Sequence, residues 1–252
     1  MSKELNDDQL LQFSRQIMLP QIDVAGQQKL IDAKVLILGV GGLGCPLLLY
    51  LVSCGVGTIT IVDPDVIELS NLQRQILFGM DDLGRKKVDV AQKKATRLNS
   101  GVQISSLDYI PDNDEMRRLI DNNDIVVDGT DNFAARYRHN KISVECDTPL
   151  VSGAVIRFEG QVTTFDRRIP DSPCYYCLYP EGKNQQLNCS ENGVLGPVAG
   201  MIATIMATET VKLIIGTGES LAGRLLILDA LHMEWRTVKL SRDPQCSVCS
   251  KT

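Results

Sequence analysis

The segment AKVLILGVGGLG, residues 33–44, decides the fold predicted for this chain. Its first half, AKVLIL, is a run of apolar and β-branched residues typical of a strand buried on both faces. The strand leads into a GxGxxG pattern and then into an apolar segment, residues 46–53, that is predicted to be a helix. The glycines of this turn are Gly39, Gly41, Gly42 and Gly44. Such a turn lets the backbone approach phosphate groups at the start of a helix.

A second predicted strand, residues 58–63, ends in an acid. Asp63 lies 19 residues after Gly44, the last glycine of the turn. In βαβ units that bind nucleotides, an acid about 20 residues past the glycines bonds a ribose hydroxyl. The sequence therefore predicts a nucleotide site at the carboxyl edge of a parallel sheet, with Asp63 and the four glycines as its binding residues.

Strand and helix signals alternate from residue 33 to residue 147, which predicts an open, mostly parallel, Rossmann-like α/β sheet. The second half of the chain is richer in strand signals, at residues 151–165 and 224–240, and Gly160 is predicted at a bend. These strands are expected to extend the sheet around a long helix, residues 197–215.

The composition of the 252 residues, 44% hydrophobic and 23% charged, excludes a disordered or fibrous chain. The formal net charge of −5 argues against a nucleic-acid or anionic-membrane partner. No bilayer span is expected, because polar residues interrupt the most apolar stretch, residues 197–215. Residues 1–8 are polar and acidic, unlike a secretory leader, so a cytoplasmic protein is expected.

Four of the eight cysteines form two CxxC pairs separated by 68 residues. They are Cys174, Cys177, Cys246 and Cys249. Two such pairs supply the four thiolates of a closed tetrahedral zinc site, whose role is structural because it has no open coordination position. The site would pin an irregular segment, residues 170–194, to the C-terminal tail. A redox CxxC motif or four unrelated thiols are the alternatives.

The segment LSNLQRQILF, residues 69–78, follows the second strand and brings a dense polar set to the phosphate site. Its members are Asn71, Arg74 and Gln75. Lys86 and Lys87 fall at the first turn of the next predicted helix, where the helix dipole disfavours cations. A bound anion would explain both lysines, whereas solvated surface lysines are the alternative.

The segment DGTDN, residues 128–132, follows another predicted strand that ends at the same crevice. The carboxylate of Asp131 suits Mg²⁺, which takes one or two carboxylates together with phosphate oxygens. Asp131 is equally suited to cap the helix that follows. The spacing leaves both interpretations open.

Two other functional classes also stay open at this point. A glycine turn followed by an acid is equally typical of a nicotinamide-dependent oxidoreductase. A zinc-stabilised binding module that keeps the fold without turnover is the non-enzymatic alternative. Protection by ATP or by NAD(H) would separate the first from an ATP-using enzyme, and exchange of labelled pyrophosphate into ATP would exclude the second.

Taken together, these motifs resemble the E1-like adenylyltransferases of the MoeB/ThiF family, relatives of ubiquitin-activating enzymes. The resemblance spans nearly the whole chain and rests on motifs in a fixed order. They are Arg15-Gln16, GVGGLG (39–44), Asp63, SNLQRQ (70–75), GRKK (84–87), GTDN (129–132) and the two CxxC pairs with a lone Cys189 between them. Residues 152–161 and 243–246 look closer to the molybdopterin-synthase branch than to the thiamine branch.

The resemblance implies ATP- and Mg²⁺-dependent adenylation of a C-terminal glycine carboxylate. The substrate would be a small ubiquitin-fold sulfur-carrier protein that ends in Gly-Gly, of the MoaD-like type or, alternatively, the ThiS-like type. It further implies a homodimer and a zinc site. Because the sequence ends soon after Cys249, without a rhodanese domain, a separate sulfur donor is expected.

The resemblance also assigns roles to individual residues. Asp63 would hold the ribose, Arg74 and Lys87 the phosphates, and Asp131 the magnesium ion, while Asn71 and Gln75 line the pocket. Arg15 would reach the triphosphate from the other subunit. Cys189 matches a cysteine that bonds covalently to the carrier in some members of the family. The chain is then one adenylation domain, residues 1–252, with a helical segment (1–32), a nucleotide-binding half (33–150) and a carrier-binding half (151–252).

Overall fold

The fold is built on an open eight-stranded sheet with the order β3-β2-β1-β4-β5-β6-β7-β8. A computed structural model describes residues 5–180 and 193–250. The strands are β1 (Lys34–Leu38), β2 (Thr58–Val62), β3 (Gln103–Leu107), β4 (Ile125–Asp128), β5 (Leu150–Ile156), β6 (Glu159–Phe165), β7 (Arg224–Asp229) and β8 (Glu234–Lys239). The helices are α1 (Asp7–Gln12), α2 (Ser14–Ile17), α3 (Asp23–Asp32), α4 (Gly44–Cys54), α5 (Lys87–Leu98), α6 (Asn113–Asp121), α7 (Phe133–Glu145), α8 (Tyr175–Leu178) and α9 (Gly196–Ile215).

The first five strands form the parallel half of the sheet. β1 lies at its centre and pairs in parallel with β2 on one side and β4 on the other. β3 and β5 continue the parallel pairing outward. Side chains from β1 pack on both faces: Val35 and Ile37 lie in one apolar cluster, whereas Leu36 and Leu38 lie in the other. The mixed α/β sheet predicted from the alternating signals is confirmed.

Strands β6 to β8 form the antiparallel half of the sheet, and β5 joins it to the parallel half by pairing antiparallel with β6. The bend between β5 and β6 lies at Arg157, whose φ of 53° is left-handed, and at Phe158. The prediction of a bend at Gly160 is therefore wrong, since this residue lies inside β6. A Cβ at Gly160 would lie 2.4 Å from Cγ1 of Ile202, so the glycine makes room for close packing of α9 on the sheet.

The long helix α9 covers one face of the sheet and joins both halves. Val198, Ile202 and Met206 are buried in the same apolar cluster as residues from β1, β2 and α4. By length and composition alone α9 could cross a membrane, contrary to the expectation from its polar residues. Its burial against the sheet explains that apolar composition as packing in the protein core. Gly216, with φ 74°, ends the helix as expected.

The N-terminal helical segment is divided into three short helices. Phe13 separates α1 from α2, and the turn before α3 contains Pro20. The helical conformation is unfavourable for a residue that precedes proline, which explains the break between α2 and α3. Phe13 itself is buried and supports the parallel half, because its ring occupies the space beside Gly55.

Candidate functional site

The glycine turn joins β1 to α4 as predicted. Gly39 has a φ of 89°, which favours glycine. Gly44 begins α4, and a Cβ there would lie 2.0 Å from the carbonyl oxygen of Gly39. Gly41 and Gly42 meet no such obstruction and face a cleft. Because Gly44 has no side chain, α4 packs closely against the turn. Gly39, Gly41 and Gly42 line the floor of the cleft.

The cleft has a volume of about 430 Å³ and lies at the carboxyl ends of β1, β2 and β4. Most of the residues predicted to bind the nucleotide line it. They are Gly39, Gly41, Gly42, Asp63, Asn71, Arg74, Gln75, Lys87 and Asp131. Arg15 is exposed on α2 and is not among the described lining residues of this cleft. Its predicted role from the other subunit stays a prediction.

Asp63 connects the end of β2 to the glycine turn. Its Oδ2 accepts a hydrogen bond from the Val40 N–H at 2.7 Å, and its Oδ1 accepts one from the Asp65 N–H at 3.0 Å. Burial raises the pKa of Asp63, and the charge of Lys87 opposes that rise. The acid is therefore fixed in orientation at the cleft wall, as its predicted role with a ribose requires.

The two lysines at the start of α5 have different environments. Lys87 is buried, and its Nζ lies 2.7 Å from Asp65 and 3.9 Å from Asp63. Lys86 is the N-cap residue and is partly exposed, 3.7 Å from Asp108. The solvated-lysine alternative therefore describes Lys86 only. Lys87 places a positive charge inside the cleft.

The segment after β2 places its polar side chains on the cleft wall. Arg74 donates from NH1 to the carbonyl oxygen of Ser70 at 3.0 Å, and its stem packs beside Gly42. Gln75 is buried, and its Oε1 has no hydrogen-bond partner among the described residues. A buried acceptor without a partner is uncommon, and this oxygen is almost wholly shielded by the surrounding protein. The segment thus supplies one cation to the cleft wall, from Arg74.

Asp131 stands at the tip of the loop between β4 and α7. The N-cap of α7 is Asn132, which accepts from the Ala135 N–H, so the alternative that Asp131 caps the helix is wrong. Asp131 lines the cleft and also a second cavity. Its carboxylate is therefore available at the junction of the two spaces.

Three buried residues behind this loop were missed by the sequence reasoning. Asp128 binds the N–H and the hydroxyl of Thr130, and it pairs with Nδ1 of His139 at 2.9 Å. Arg136 donates to the carbonyl oxygens of Thr130 and Gly153. The sequence signal for these residues was an acid at a strand end followed by four basic residues on the next helix, Arg136, Arg138, His139 and Lys141.

The pKa of Asp128 reflects these partners. Complete burial would raise it, but the ring of His139, the charge of Arg136 and the hydroxyl of Thr130 together lower the pKa to about 2. Asp128 is thus an ionised carboxylate behind the cleft, balanced by cationic and hydrogen-bonding groups on α7 and its own loop.

The second cavity, of about 220 Å³, continues from the cleft. Asp131, Arg136 and Val155 line both spaces. Aromatic and aliphatic side chains form most of its wall, from Phe133, Tyr175, Tyr179, Ile156 and Ile227, and the polar residues Glu159 and Gln161 also line it. Burial raises the pKa of Tyr175 to about 12, so that the phenol is neutral. The arrangement forms a mainly apolar passage that adjoins the polar cleft.

The four CxxC cysteines converge, as predicted. Their sulfur atoms all lie within 4.8 Å of one another. Sγ of Cys174 lies 3.6 Å from that of Cys246, and Sγ of Cys177 lies 3.5 Å from that of Cys249. Zinc–sulfur bonds of about 2.3 Å in a tetrahedron place the sulfurs about 3.8 Å apart. The donor set and spacing fit a zinc ion.

The acidities of these thiols differ strongly. The hydrogen bond with Cys177 and burial raise the pKa of Cys174, and burial raises the pKa of Cys249 to about 11. The hydrogen bond from Cys174 lowers the pKa of Cys177 to about 4. Because cysteine binds metals as the thiolate, a bound dication would favour the ionised form of these side chains.

Cys189 lies outside the described residues, so its predicted reactivity is untested. The same holds for part of the irregular segment, residues 181–192. Its described beginning contains α8, which carries Cys177.

Comparison with known proteins identifies the family. The model of the ThiF family matches residues 13–248. The molybdopterin-synthase adenylyltransferase of Escherichia coli is 41% identical, covering 98% of this chain and 99% of that protein. The sulfur carrier protein ThiS adenylyltransferase of the same organism is 40% identical, covering 97% of each. Among solved structures, E. coli MccB with ATP is 27% identical with a TM-score of 0.79, covering 90% of this chain and 68% of that one.

Proposed function

The chain belongs to the ThiF family and is an E1-like adenylyltransferase, and from this premise we propose that it uses ATP and Mg²⁺ to adenylate a sulfur carrier. The substrate group is the C-terminal glycine carboxylate of a small ubiquitin-fold protein that ends in Gly-Gly. The matched relatives are named as adenylyltransferases, which sets the nicotinamide oxidoreductase and the inactive binding module aside.

One observation carries the proposal: the aromatic cavity and the polar cleft meet at Asp131 and Arg136. A nucleotide whose ribose lies at Asp63 extends its phosphates over the glycine turn toward Arg74 and Lys87. An extended chain end that enters through the aromatic cavity arrives at the same junction. A tail of two glycines would suit this passage, because it has no side chains to place between the aromatic rings.

The reaction needs no general base. A C-terminal carboxylate has a pKa of about 3.3–3.7 and is already ionised at neutral pH. One of its oxygens attacks the α-phosphorus of ATP, the bond to the bridging oxygen of the β-phosphate breaks, and pyrophosphate leaves with the electron pair. Arg74 and Lys87 neutralise charge that develops on the phosphates, and alignment of the two substrates contributes the rest.

The metals have separate roles in this proposal. Asp131 would hold Mg²⁺ together with phosphate oxygens, a donor set that suits this ion, and the bound ion would supply further charge neutralisation. Zinc at the four cysteines would be structural, because all four positions of a tetrahedral site are filled by sulfur. It would join the segment around Cys177 to the C-terminal tail.

We further propose a homodimer. Leu11 and Met18 flank Arg15 on the N-terminal helices and are 77% and 71% exposed. Apolar side chains of this size at the surface favour association with a second copy. In such a dimer Arg15 of the partner subunit would reach the triphosphate, since Arg15 does not line the cleft of its own chain.

The finer assignments follow the sequence motifs. We propose a MoaD-like carrier in molybdopterin biosynthesis rather than a ThiS-like one, a separate sulfur donor and a cytoplasmic location. Residues 1–252 would act as one domain, because a continuous sheet joins residues 33–150 to the carrier-binding half. Cys189 would act only after adenylation.

Carrier-dependent exchange of labelled pyrophosphate into ATP tests the function. Purified MoaD-like and ThiS-like carriers, each intact and lacking the last glycine, are incubated with the protein, ATP and Mg²⁺. Exchange with the intact MoaD-like carrier, and an adenylate detected by mass, is the expected result. Exchange with the ThiS-like carrier alone would assign the thiamine branch, and exchange with neither would overturn the proposal.

A further inference from the structure

Thr130, the residue before Asp131, is held at every polar group it has. Its N–H and its hydroxyl donate to Oδ1 of Asp128 at 2.9 and 2.6 Å. Its carbonyl oxygen accepts from Nε of Arg136 at 3.0 Å and also from NH2 of that guanidinium. The loop is therefore fixed immediately before the carboxylate that faces both cavities.

His139 fixes Asp128 in turn. Its Nδ1 lies 2.9 Å from Oδ2 of Asp128, and because a carboxylate only accepts, the ring nitrogen donates. Asp128 and His139 have side chains that are 1% and 6% exposed. Oδ1 of Asp128 thus accepts from Thr130, and Oδ2 accepts from His139.

Arg136 connects this arrangement to the next strand. Its NH2 donates to the carbonyl oxygen of Gly153 on β5 at 2.8 Å. The loop is thus held from β4 through Asp128, from α7 through His139 and Arg136, and from β5 through Gly153. Asp131 carries none of these bonds, and the backbone that they hold is that of Thr130, the residue directly before it.

We propose that Asp128 and His139 are positioning residues that set the carboxylate of Asp131 for Mg²⁺·ATP. The inference deepens the proposed function and rests on it for the nucleotide and for Mg²⁺ at Asp131. Supporting residues of this kind typically change metal affinity by about 10- to 100-fold when they are replaced. His139 acts through Nδ1 on Asp128, and no proton transfer through the ring is involved.

Two substitutions at His139 separate positioning from other roles. His139→Leu removes the ring donor but keeps an apolar side chain of similar size in the buried position. His139→Asn restores an N–H near the place of Nδ1 while removing Nε2. ATP affinity is measured by calorimetry with Mg²⁺ and with EDTA, and the melting temperature is recorded for each variant.

For His139→Leu, we expect the gain in ATP affinity that Mg²⁺ gives to fall by about tenfold. Affinity in EDTA should stay close to that of the unmodified protein, whereas the melting temperature of His139→Leu should fall, because the buried carboxylate of Asp128 loses a partner. His139→Asn should recover most of the lost Mg²⁺ effect. Pyrophosphate exchange with the carrier should follow the same order, with kcat falling more than the KM for ATP rises.

Three results would overturn the inference. An unchanged Mg²⁺ effect in His139→Leu would mean that the histidine does not position Asp131. Equal losses in both variants would assign the effect to Nε2 and to direct contact with the ligand. A parallel loss of ATP affinity in EDTA would indicate general damage to the cleft. Because binding is measured without a carrier, failure of the adenylation proposal would appear separately, as absent exchange by the unmodified protein.

Discussion

The parallel and antiparallel halves of the sheet are held together by different means. In the parallel half, β1 is buried on both faces and the cleft is shaped by backbone contacts such as Gly44 against Gly39. In the antiparallel half, every residue of β8 is exposed, and the cluster that contains Cys177 and Cys246 joins the loop after β6 to the C-terminal tail. The cleft therefore depends on steric fit, whereas the antiparallel half is joined to the tail by four thiols that could hold a metal ion.

The sites proposed for the two substrates should therefore respond differently to loss of the metal. The cleft can form without the metal, because none of its described lining residues belongs to the cysteine cluster. The aromatic cavity includes Tyr175, the first residue of α8, and Tyr179, the residue that follows this helix. Cys177 lies between these two tyrosines in the sequence. Loss of zinc should therefore disturb the passage for the carrier before it disturbs the site for ATP.

The largest effect is expected for Gly44→Ala. A Cβ there would lie 2.0 Å from the Gly39 carbonyl oxygen, so the turn must move. The free energy of unfolding should fall by about 3 kcal/mol or more, and ATP binding should be lost. Gly41→Ala is the matched control, since its nearest non-neighbouring atom would lie 3.7 Å away. Equal thermal stability of the two variants would show that the turn does not rely on steric fit.

Arg74→Ala is expected to lower the rate of pyrophosphate exchange by about 10²-fold. Loss of one hydrogen-bond donor that stabilises a transition state has an effect of this size in other enzymes. The melting temperature should hardly change, because the Arg74 side chain makes one described hydrogen bond, to the Ser70 carbonyl, and alanine keeps the backbone bond. Arg85→Ala, which loses an ion pair with Asp82 outside the cleft, serves as control. Near-normal exchange in Arg74→Ala would remove this residue from the site.

Removal of zinc tests the other half. Cys246→Ser, or chelation, should release one zinc ion per chain and lower the free energy of unfolding by about 2 kcal/mol, or roughly 4–8 °C in melting temperature. Proteolysis within residues 170–194 should become faster, while ATP affinity changes by less than about twofold. Cys146→Ser, outside the cluster, is the control. Unchanged metal content and cleavage would contradict the structural role of zinc.

The smallest effect is expected for Cys189→Ala. Adenylation uses the carrier carboxylate and ATP and needs no thiol, so pyrophosphate exchange should stay within about twofold. A covalent carrier–protein adduct, detected by mass after incubation with ATP and carrier, should disappear in this variant. An inactive variant would place the thiol before adenylation and not after it.

Local sequence patterns predicted most of the parallel half. The glycine turn, the acid after β2 and the helix at Lys87–Leu98 each follow from a short segment, because their conformations depend on neighbouring residues. The family and the class of enzyme predicted from the motifs are confirmed by the matched relatives. The cysteine cluster was also predictable, since paired CxxC spacing is specific even across a long separation.

Other features could not be predicted because they depend on tertiary contacts. The pairing of His139 with Asp128 joins the end of β4 to the second turn of a helix, and no spacing rule identifies it. The aromatic cavity combines α7, α8 and strands of the antiparallel half. The bend at Arg157 was assigned to Gly160 because glycine often marks turns, whereas this glycine serves close packing against Ile202.

The position of α9 has a consequence for how the molecule loses its structure on heating. The helix contributes Ile202 and Met206 to an apolar cluster that also contains Val35 and Ile37 of β1, together with Val162 of β6. If α9 separates from one half of the sheet, apolar side chains of the other half also become exposed to water. Calorimetry should accordingly record a single cooperative transition. A ligand that binds to either half should then raise the melting temperature of the whole chain.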